Sequence, residues 1–193
     1  MNTATGLCEM RLKEVGTLRS GKSHKGCRDG AVPVYISGGV VAHVDTVMDR
    51  GAAVIVPIRG SIEKQYFVPE GTPFFCGVTC IYIKCREGIM NPYFLFHLLQ
   101  SAHLERLNRA STVPSLQRVD LENIALFVPP MEYQVEAVKI LERMRTEIRK
   151  TEDTIQQMKE FEPSVRNEVF ELLGRTNERA QERSYIAQRL LLL

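Results

Sequence analysis

At 193 residues and 44% hydrophobic content, the chain is long enough for one domain plus an extension and too apolar to remain disordered. Its net charge of +2 is too small to argue by itself for a nucleic-acid partner. No stretch approaches the roughly 20 apolar residues that span a bilayer, Met1 to Met10 lacks an export signal, and five cysteines without one point to free thiols in a reducing compartment, the cytoplasm or a nucleoplasm.

Residues 10–18 place Leu12, Val15 and Leu18 at a spacing that fits one turn of helix or a first strand. Between residues 11 and 30 the charge is locally basic, with Arg11, Lys13, Arg19, Lys22, Lys25 and Arg28 against Glu14 and Asp29. Such a patch fits a polyanion partner or a solvated face. Within it, Gly16 to Ser23 matches the phosphate-loop pattern G-x-x-x-x-G-K-[ST]. That loop requires a helix directly behind it, whose N-terminal N–H groups hold the phosphates. Here Gly26, Gly30 and Pro33 follow, which break a helix. A nucleotide-binding protein therefore stays the minor alternative, and the expectation is a basic loop in which Lys22, His24, Lys25 and Arg28 face a phosphate backbone.

Short apolar runs cut by turn residues come next. Val32–Ile36 reads as a strand ended by Ser37-Gly38-Gly39, and Val40, Val41 and Val44 lie in a second segment. Ala52–Ile58 reads as a buried strand feeding the turn Arg59-Gly60-Ser61. Gln65–Val68 is another strand, and Phe74–Lys84 is predicted as the best of them, rich in strand formers at Val78, Ile81, Tyr82 and Ile83. Cys76, Cys80 and Cys85 lie close together, but neither His97 nor His103 completes a zinc ligand set, so they read as small buried thiols. No nucleophile or acid–base constellation stands out among the four histidines at 24, 43, 97 and 103. No catalysis and no cofactor is expected of the chain itself.

Asn91-Pro92 caps and starts a mostly buried helix, in which His97 and His103 are expected to be structural. Arg109 precedes the polar loop Ala110–Ser115, with Ser111 available for phosphate. Val119–Asn123 reads as a helical turn and Ile124–Val128 as a last strand. Pro130 then pre-sets a long helix start. From Leu141 the heptads are readable. Leu141, Ile148, Ile155, Glu162 and Val169 share one repeat position, and Met144, Thr151, Met158, Val165 and Leu172 lie three residues on. Eight of these ten are apolar, the pattern of a coiled-coil seam. A stripe so long and narrow needs a partner helix. Pro163 is expected to kink or restart the helix, and the polar tail 174–193 to be a second helix, an oligomer contact or a disordered end.

The run from Ser111 through Asp120-Leu121 and the strand 124–128 to Pro129-Pro130-Met-Glu-Tyr-Gln134 resembles the end of a target recognition domain from the DNA specificity subunit of type I restriction–modification systems. That family reads as a Gly-Ser/Thr loop, L-x-x-x-D-L, an apolar strand, then P-P-L-x-E-Q opening a long helix. Val32-Pro-Val with Ser37-Gly38, the turn Ile58-Arg-Gly-Ser61 and Asn91-Pro-Tyr-Phe-Leu agree in order, so the similarity covers residues 10–173. Tyr133 departs from the family's Glu.

The resemblance implies an α+β chain. A twisted, β-rich target recognition domain with small helices (1–129) is followed by a coiled-coil dimerisation and spacer helix (130–173) and a polar tail (174–193). It implies a non-catalytic, DNA-binding specificity subunit, with Lys22, His24, Lys25, Arg28, Arg59, Lys64, Arg109 and Ser111 toward double-stranded DNA. The seam residues Leu141, Met144, Ile148, Ile155, Met158, Val165, Val169 and Leu172 would serve dimerisation. The family's full subunit carries two recognition domains and two long helices, whereas this sequence holds one of each, so a homodimer reading a two-part site is expected. DNA methyltransferase (modification) subunits using S-adenosylmethionine and restriction subunits would be its partners. An orphan or viral member without those partners is the second reading.

Overall fold

The computed structural model describes residues 6–108, 110 and 112–190, and beyond Leu173 the side chains of Arg175 and Gln181 only. The chain divides into two units, Met1–Ile140 and Leu141–Leu193. In the first, β1 (Cys8–Arg11) runs through one helical turn, α1 (Leu12–Val15), into β2 (Gly16–Ser20). Residues 10–18 thus hold both of the alternatives their spacing allowed. The hairpin β3 (Asp29–Ile36) and β4 (Gly39–Val44) follows, then β5 (Asp49–Arg50), β6 (Ala53–Pro57), β7 (Tyr66–Val68), β8 (Pro73–Cys76) and β9 (Cys80–Cys85). Helices α2 (Pro92–Ser101) and α3 (Arg118–Glu122), strand β10 (Ala125–Val128) and the long α4 (Met131–Leu190) complete the order. The class is α+β.

Among the described residues three sheets result: β1–β10, β2-β9-β6-β7 and β4-β3-β8-β5. The middle sheet is buried on both faces, which is why its strands read as unbroken apolar runs although they pair antiparallel. Alternation along each strand divides the work. Val54, Val56, Ile81 and Ile83 face a core completed by Leu95, Leu99 and Leu121. Ala53, Ile55, Cys80 and Tyr82 face a second core with Phe74, Cys76 and Val68. Phe74 and Tyr82 meet edge to face there, 5.2 Å between centroids.

Phe74–Lys84 is therefore two strands, not one. β8 belongs with β3 in one sheet, and β9 pairs with β2 and β6 in the other. The chain crosses between them at Gly77-Val78-Thr79, where the Gly77 N–H donates to Tyr35 O at 2.8 Å and the Cys80 N–H to Gly77 O at 3.0 Å. Glycine is required at 77, since a Cβ there would lie 2.7 Å from Ile36 Cγ2 and 3.0 Å from Tyr35 O.

Helix α2 starts as expected. Its Asn91 side chain accepts from the N–H groups of Tyr93 at 2.9 Å and Phe94 at 3.1 Å. Asn91→Ala should lower stability by about 1 kcal/mol, read as a shift in the urea midpoint without a change in slope; an unchanged midpoint would mean that the cap contributes nothing. His97 is half-buried with its ring edge-on to Tyr93. His103 is not helical: it adopts φ 50°, precedes a 3-10 turn (Leu104–Leu107), and places Nδ1 2.9 Å from Glu105 Oε1 on the surface.

The two ends of the P-P…Q motif are joined to α2 by one side chain. Gln134 is fully buried in the first turns of α4. Its Oε1 accepts from Asn91 N–H at 2.8 Å, and its Nε2 donates to Ile89 O at 2.9 Å and Pro129 O at 2.8 Å. With Val138 packed on the same core, the start of α4 belongs to the first unit.

In the second unit α4 continues as helix through Pro163 to Leu190. Pro163 does not restart it: one N–H is lost, while the Arg166–Glu162 pair at 2.6 Å brackets the site. The tail 174–190 is the same helix rather than a second one. Met144, Ile148, Ile155, Met158, Val165, Val169 and Leu172 are all exposed on it, and Leu141 is half-buried. Among the described residues no helix is long and apolar enough to cross a membrane.

Candidate nucleic-acid interface

The crossover turn 77–79 gathers the loops that carry the expected contact residues. β2 ends against it: the Gly21 N–H donates to Cys80 O at 3.0 Å and the Lys22 N–H to Cys76 O at 2.8 Å. A Cβ at Gly21 would lie 1.9 Å from Gly77 O, so this glycine serves close backbone approach. No helix follows the Gly16–Ser23 motif: the next element is β3. Lacking the helix N-terminus that phosphate binding needs, the match is not a nucleotide loop. On the other side of the turn, the Ile58 N–H donates to Thr79 O at 2.8 Å, and the Leu116 N–H to Ile58 O at 2.9 Å. Arg59 and Ser115 form a further antiparallel bridge. The Ser37 N–H donates to Thr79 Oγ1 at 3.2 Å, and the Tyr66 hydroxyl donates to Ser37 O at 2.9 Å. Asn108 shapes the last loop, its Oδ1 accepting from Ala110 N–H at 3.1 Å and Ser115 N–H at 3.0 Å.

Lys22 and Arg59 thus follow β2 and β6, the two strands that flank β9, at the end of the sheet where β9 begins. Lys64, five positions after Arg59, is exposed, its N–H donating to Ser61 O at 3.2 Å. Lys22, Lys25, Arg59 and Lys64 are exposed and hold no ion pair or side-chain hydrogen bond among the described residues. His24 is half-buried in the loop, its carbonyl accepting from Cys27 N–H at 3.1 Å. Arg28 is set apart. It precedes β3 at the end away from Ile36, roughly 20 Å along the strand from the crossover. Its Nε donates to Asp45 Oδ2 at 3.0 Å. The Thr46 hydroxyl, ahead of Arg28, holds the Asp45 carboxyl below the usual carboxylate range. Arg109 and Ser111 lie outside the described residues.

Other cations are spent internally. Arg118 donates Nη2 to Leu18 O at 2.9 Å and Nε to Glu122 at 2.6 Å, clamping the edge of β2. Arg19 reaches Asp49 at 3.3 Å; the Tyr82 hydroxyl, then Asp49, push its guanidinium further toward the charged form. The thiols of Cys76, Cys80 and Cys85 are packing groups: burial pushes Cys85 up to about 12, and a hydrogen bond with Cys80, with burial behind it, raises Cys76. No cluster of three or more metal-ligating side chains occurs among the described residues.

The crossover itself is the part of the site that periodicity does not reveal. Its one signal is Gly77 and Thr79 interrupting an apolar run between two cysteines.

The family described as type I restriction modification DNA specificity domain matches residues 6–160, most of the chain. The chain belongs to that family. Solved structures agree on the fold of this specificity domain. The S subunit of a type I restriction–modification system from M. genitalium is similar at TM-score 0.63 and 15% identity, covering 76% of this chain and 41% of that one. A chain solved for complex assembly and conformational transition of the type I R-M system is similar at TM-score 0.61 and 16% identity, covering 77% and 40%. The HsdS subunit from Thermoanaerobacter tengcongensis follows at 0.58 and 16%, covering 77% and 39%. No curated protein matches. The specificity domain spans about two-fifths of the length of these solved chains.

Proposed function

We propose that this chain is a non-catalytic reader of duplex DNA, the specificity component of a type I restriction–modification system. It works as a pair of copies joined through α4, and presents its two-part DNA site to modification and restriction subunits. The observation that carries the reading is the pair Lys22 and Arg59, uncommitted and exposed on either side of a turn fixed by backbone hydrogen bonds, in a chain of the DNA specificity family. Cations so placed meet phosphates on both sides of a groove, and loops around them reach base edges. Lys25, Lys64, Arg109 and Ser111 extend the contact; Arg28 keeps its outer guanidinium nitrogens for a more distant phosphate.

The seam supports the pairing. On a straight helix a seven-residue repeat drifts about 20° per heptad, so two such helices stay in register by supercoiling left-handed. With the helices parallel, Glu162 would face the partner's Glu162 at the seam, a like-charge contact. With one helix reversed, each repeat position faces the other. Leu141 then meets the partner's Leu172, Met144 meets Val169, Ile148 meets Val165 and Ile155 meets Met158, leaving Thr151 opposite Glu162. Every apolar side chain finds an apolar one, and the two polar positions find each other. An antiparallel pair is two-fold symmetric, which favours a palindromic arrangement of half-sites.

The test is a solution mass together with selection from a random duplex library. A dimer enriching a two-part sequence is expected; a monomer, or no enriched sequence, counts against the reading. Lys22→Ala with Lys25→Ala should then reduce the slope of log K against log salt by nearly 4 per bound dimer, about 0.9 for each of four phosphate contacts, two in each copy. An unchanged slope removes both lysines from the interface.

A further inference from the structure

We infer that Val78 reads a base, its branched methyl groups taking the 5-methyl of a thymine in the major groove. The inference deepens the DNA-reading function above and rests on it. Val78 is 61% exposed in a segment whose neighbours Cys76 and Cys80 are buried at 0% and 1%. Of the three crossover residues, Gly77 has no side chain, and the Thr79 hydroxyl is taken up by the Ser37 N–H at 3.2 Å and by Cys80 Sγ at 3.8 Å. Only Val78 is left to project. Its backbone cannot drift, because Gly77 is bonded to Tyr35 and Cys80 and is bridged to Lys22, and Thr79 is bonded to Ile58.

Lys22 stands on one side of this apolar group, and Arg59, one residue past Ile58, on the other. Two cations flanking a short apolar projection match the groove they would straddle: charge at the phosphate walls, and an apolar floor contact between them. Among the base edges of the major groove only thymine offers a methyl group, and small apolar side chains are its usual contact. A rigid mount is what turns such a small contact into discrimination.

The experiment uses the full chain and the duplex enriched from the random library. Each thymine in turn is replaced by uracil, which lacks the 5-methyl group and pairs identically. Wild type is expected to lose about fourfold in affinity at one position in each half-site, the worth of one buried methyl apiece. Val78→Ala, present in both copies, should bind the thymine duplex about sixteenfold more weakly, lose its sensitivity to those two replacements, and keep its affinity for unrelated duplex. Val78→Thr, which retains one γ-methyl group, should keep part of the discrimination. Wild type and V78A responding alike to uracil at every position, with enrichment intact, would overturn the inference and leave Val78 to a protein partner. Failure of the library to enrich any sequence would overturn the DNA reading itself, a separate outcome.

Discussion

Replacing Gln134 with Leu is expected to lower the stability of the first unit by about 3–5 kcal/mol, with a fall in melting temperature of roughly 10 °C or more. The side chain is 0% exposed, and its amide satisfies three backbone groups at once: the Asn91 N–H and the carbonyls of Ile89 and Pro129. Leucine fills much the same volume but leaves all three unpaired in a dry site, each at about 1–3 kcal/mol. Gln134→Glu is a second arm. A carboxylate can accept from Asn91 but cannot donate to the two carbonyls, so it should also destabilise, and more strongly at pH 8 than at pH 5, where protonation restores one donor. Urea unfolding of the full chain measures both variants. A loss below 1 kcal/mol for Q134L would show that water or a small backbone shift replaces the amide. The family's P-P…Q signature then has a physical basis in this chain: two prolines set the helix start, and one amide locks it to the loop before α2.

A single charge in the α4 seam is expected to disperse the dimer proposed above. Ile155→Asp would bring a carboxylate against the partner's Met158 in the central layer, twice per dimer by symmetry, and should weaken association roughly a thousandfold, on the order of 4 kcal/mol. Ile155 is 47% and Met158 68% exposed, so the substitution leaves the fold of the single chain intact, and circular dichroism should not change. Sedimentation at several concentrations reads the result; a dimer of undiminished affinity would place the interface elsewhere. Orientation has its own readout. In a Cys8→Ser background, I155C mixed with M158C should form the mixed disulfide in preference to either symmetric one if the helices run antiparallel, and the symmetric ones if they run parallel. In the proposed antiparallel register the paired segments from Leu141 to Leu172 would overlap over about 47 Å, at 1.5 Å per residue.

Much of the fold was legible because its signals are local. The strands around Val32–Ile36, Val40–Val44, Ala53–Pro57 and Ala125–Val128 are short apolar runs closed by Gly, Pro or charged turns. Asn91-Pro92 announces α2 by a cap and a fixed φ. The split of Phe74–Lys84 was not legible, because a run buried in both sheets has the same composition whether or not it changes sheets. Gly77 and Thr79 are its one mark in the sequence, and the backbone contacts at Gly77 are what reveal the crossing. His103 leaves its helix because Ala102 already closes the α2 ladder, its N–H bonding to Leu99 O. Pro163 shows the converse: a strong local breaker that a sixty-residue helix absorbs. In the candidate site the cationic residue types were legible but not their grouping. Lys22 and Arg59, 37 positions apart in sequence, come to the same end of β9 because β2 and β6 both pair with it, while Arg28, six positions from Lys22, is carried to the other end of β3 and tied to Asp45.

The crossover turn is held almost wholly by main-chain donors and acceptors, from Tyr35, Cys76, Cys80, Ile58 and Lys22. Such bonds are blind to what the outward side chains are. On the reading proposed above, substitution at 78 would change what is recognised while the scaffold beneath stays folded, so drift in target preference need not wait for compensating repairs in the core. A mount of this kind makes a reader whose alphabet can be exchanged one letter at a time.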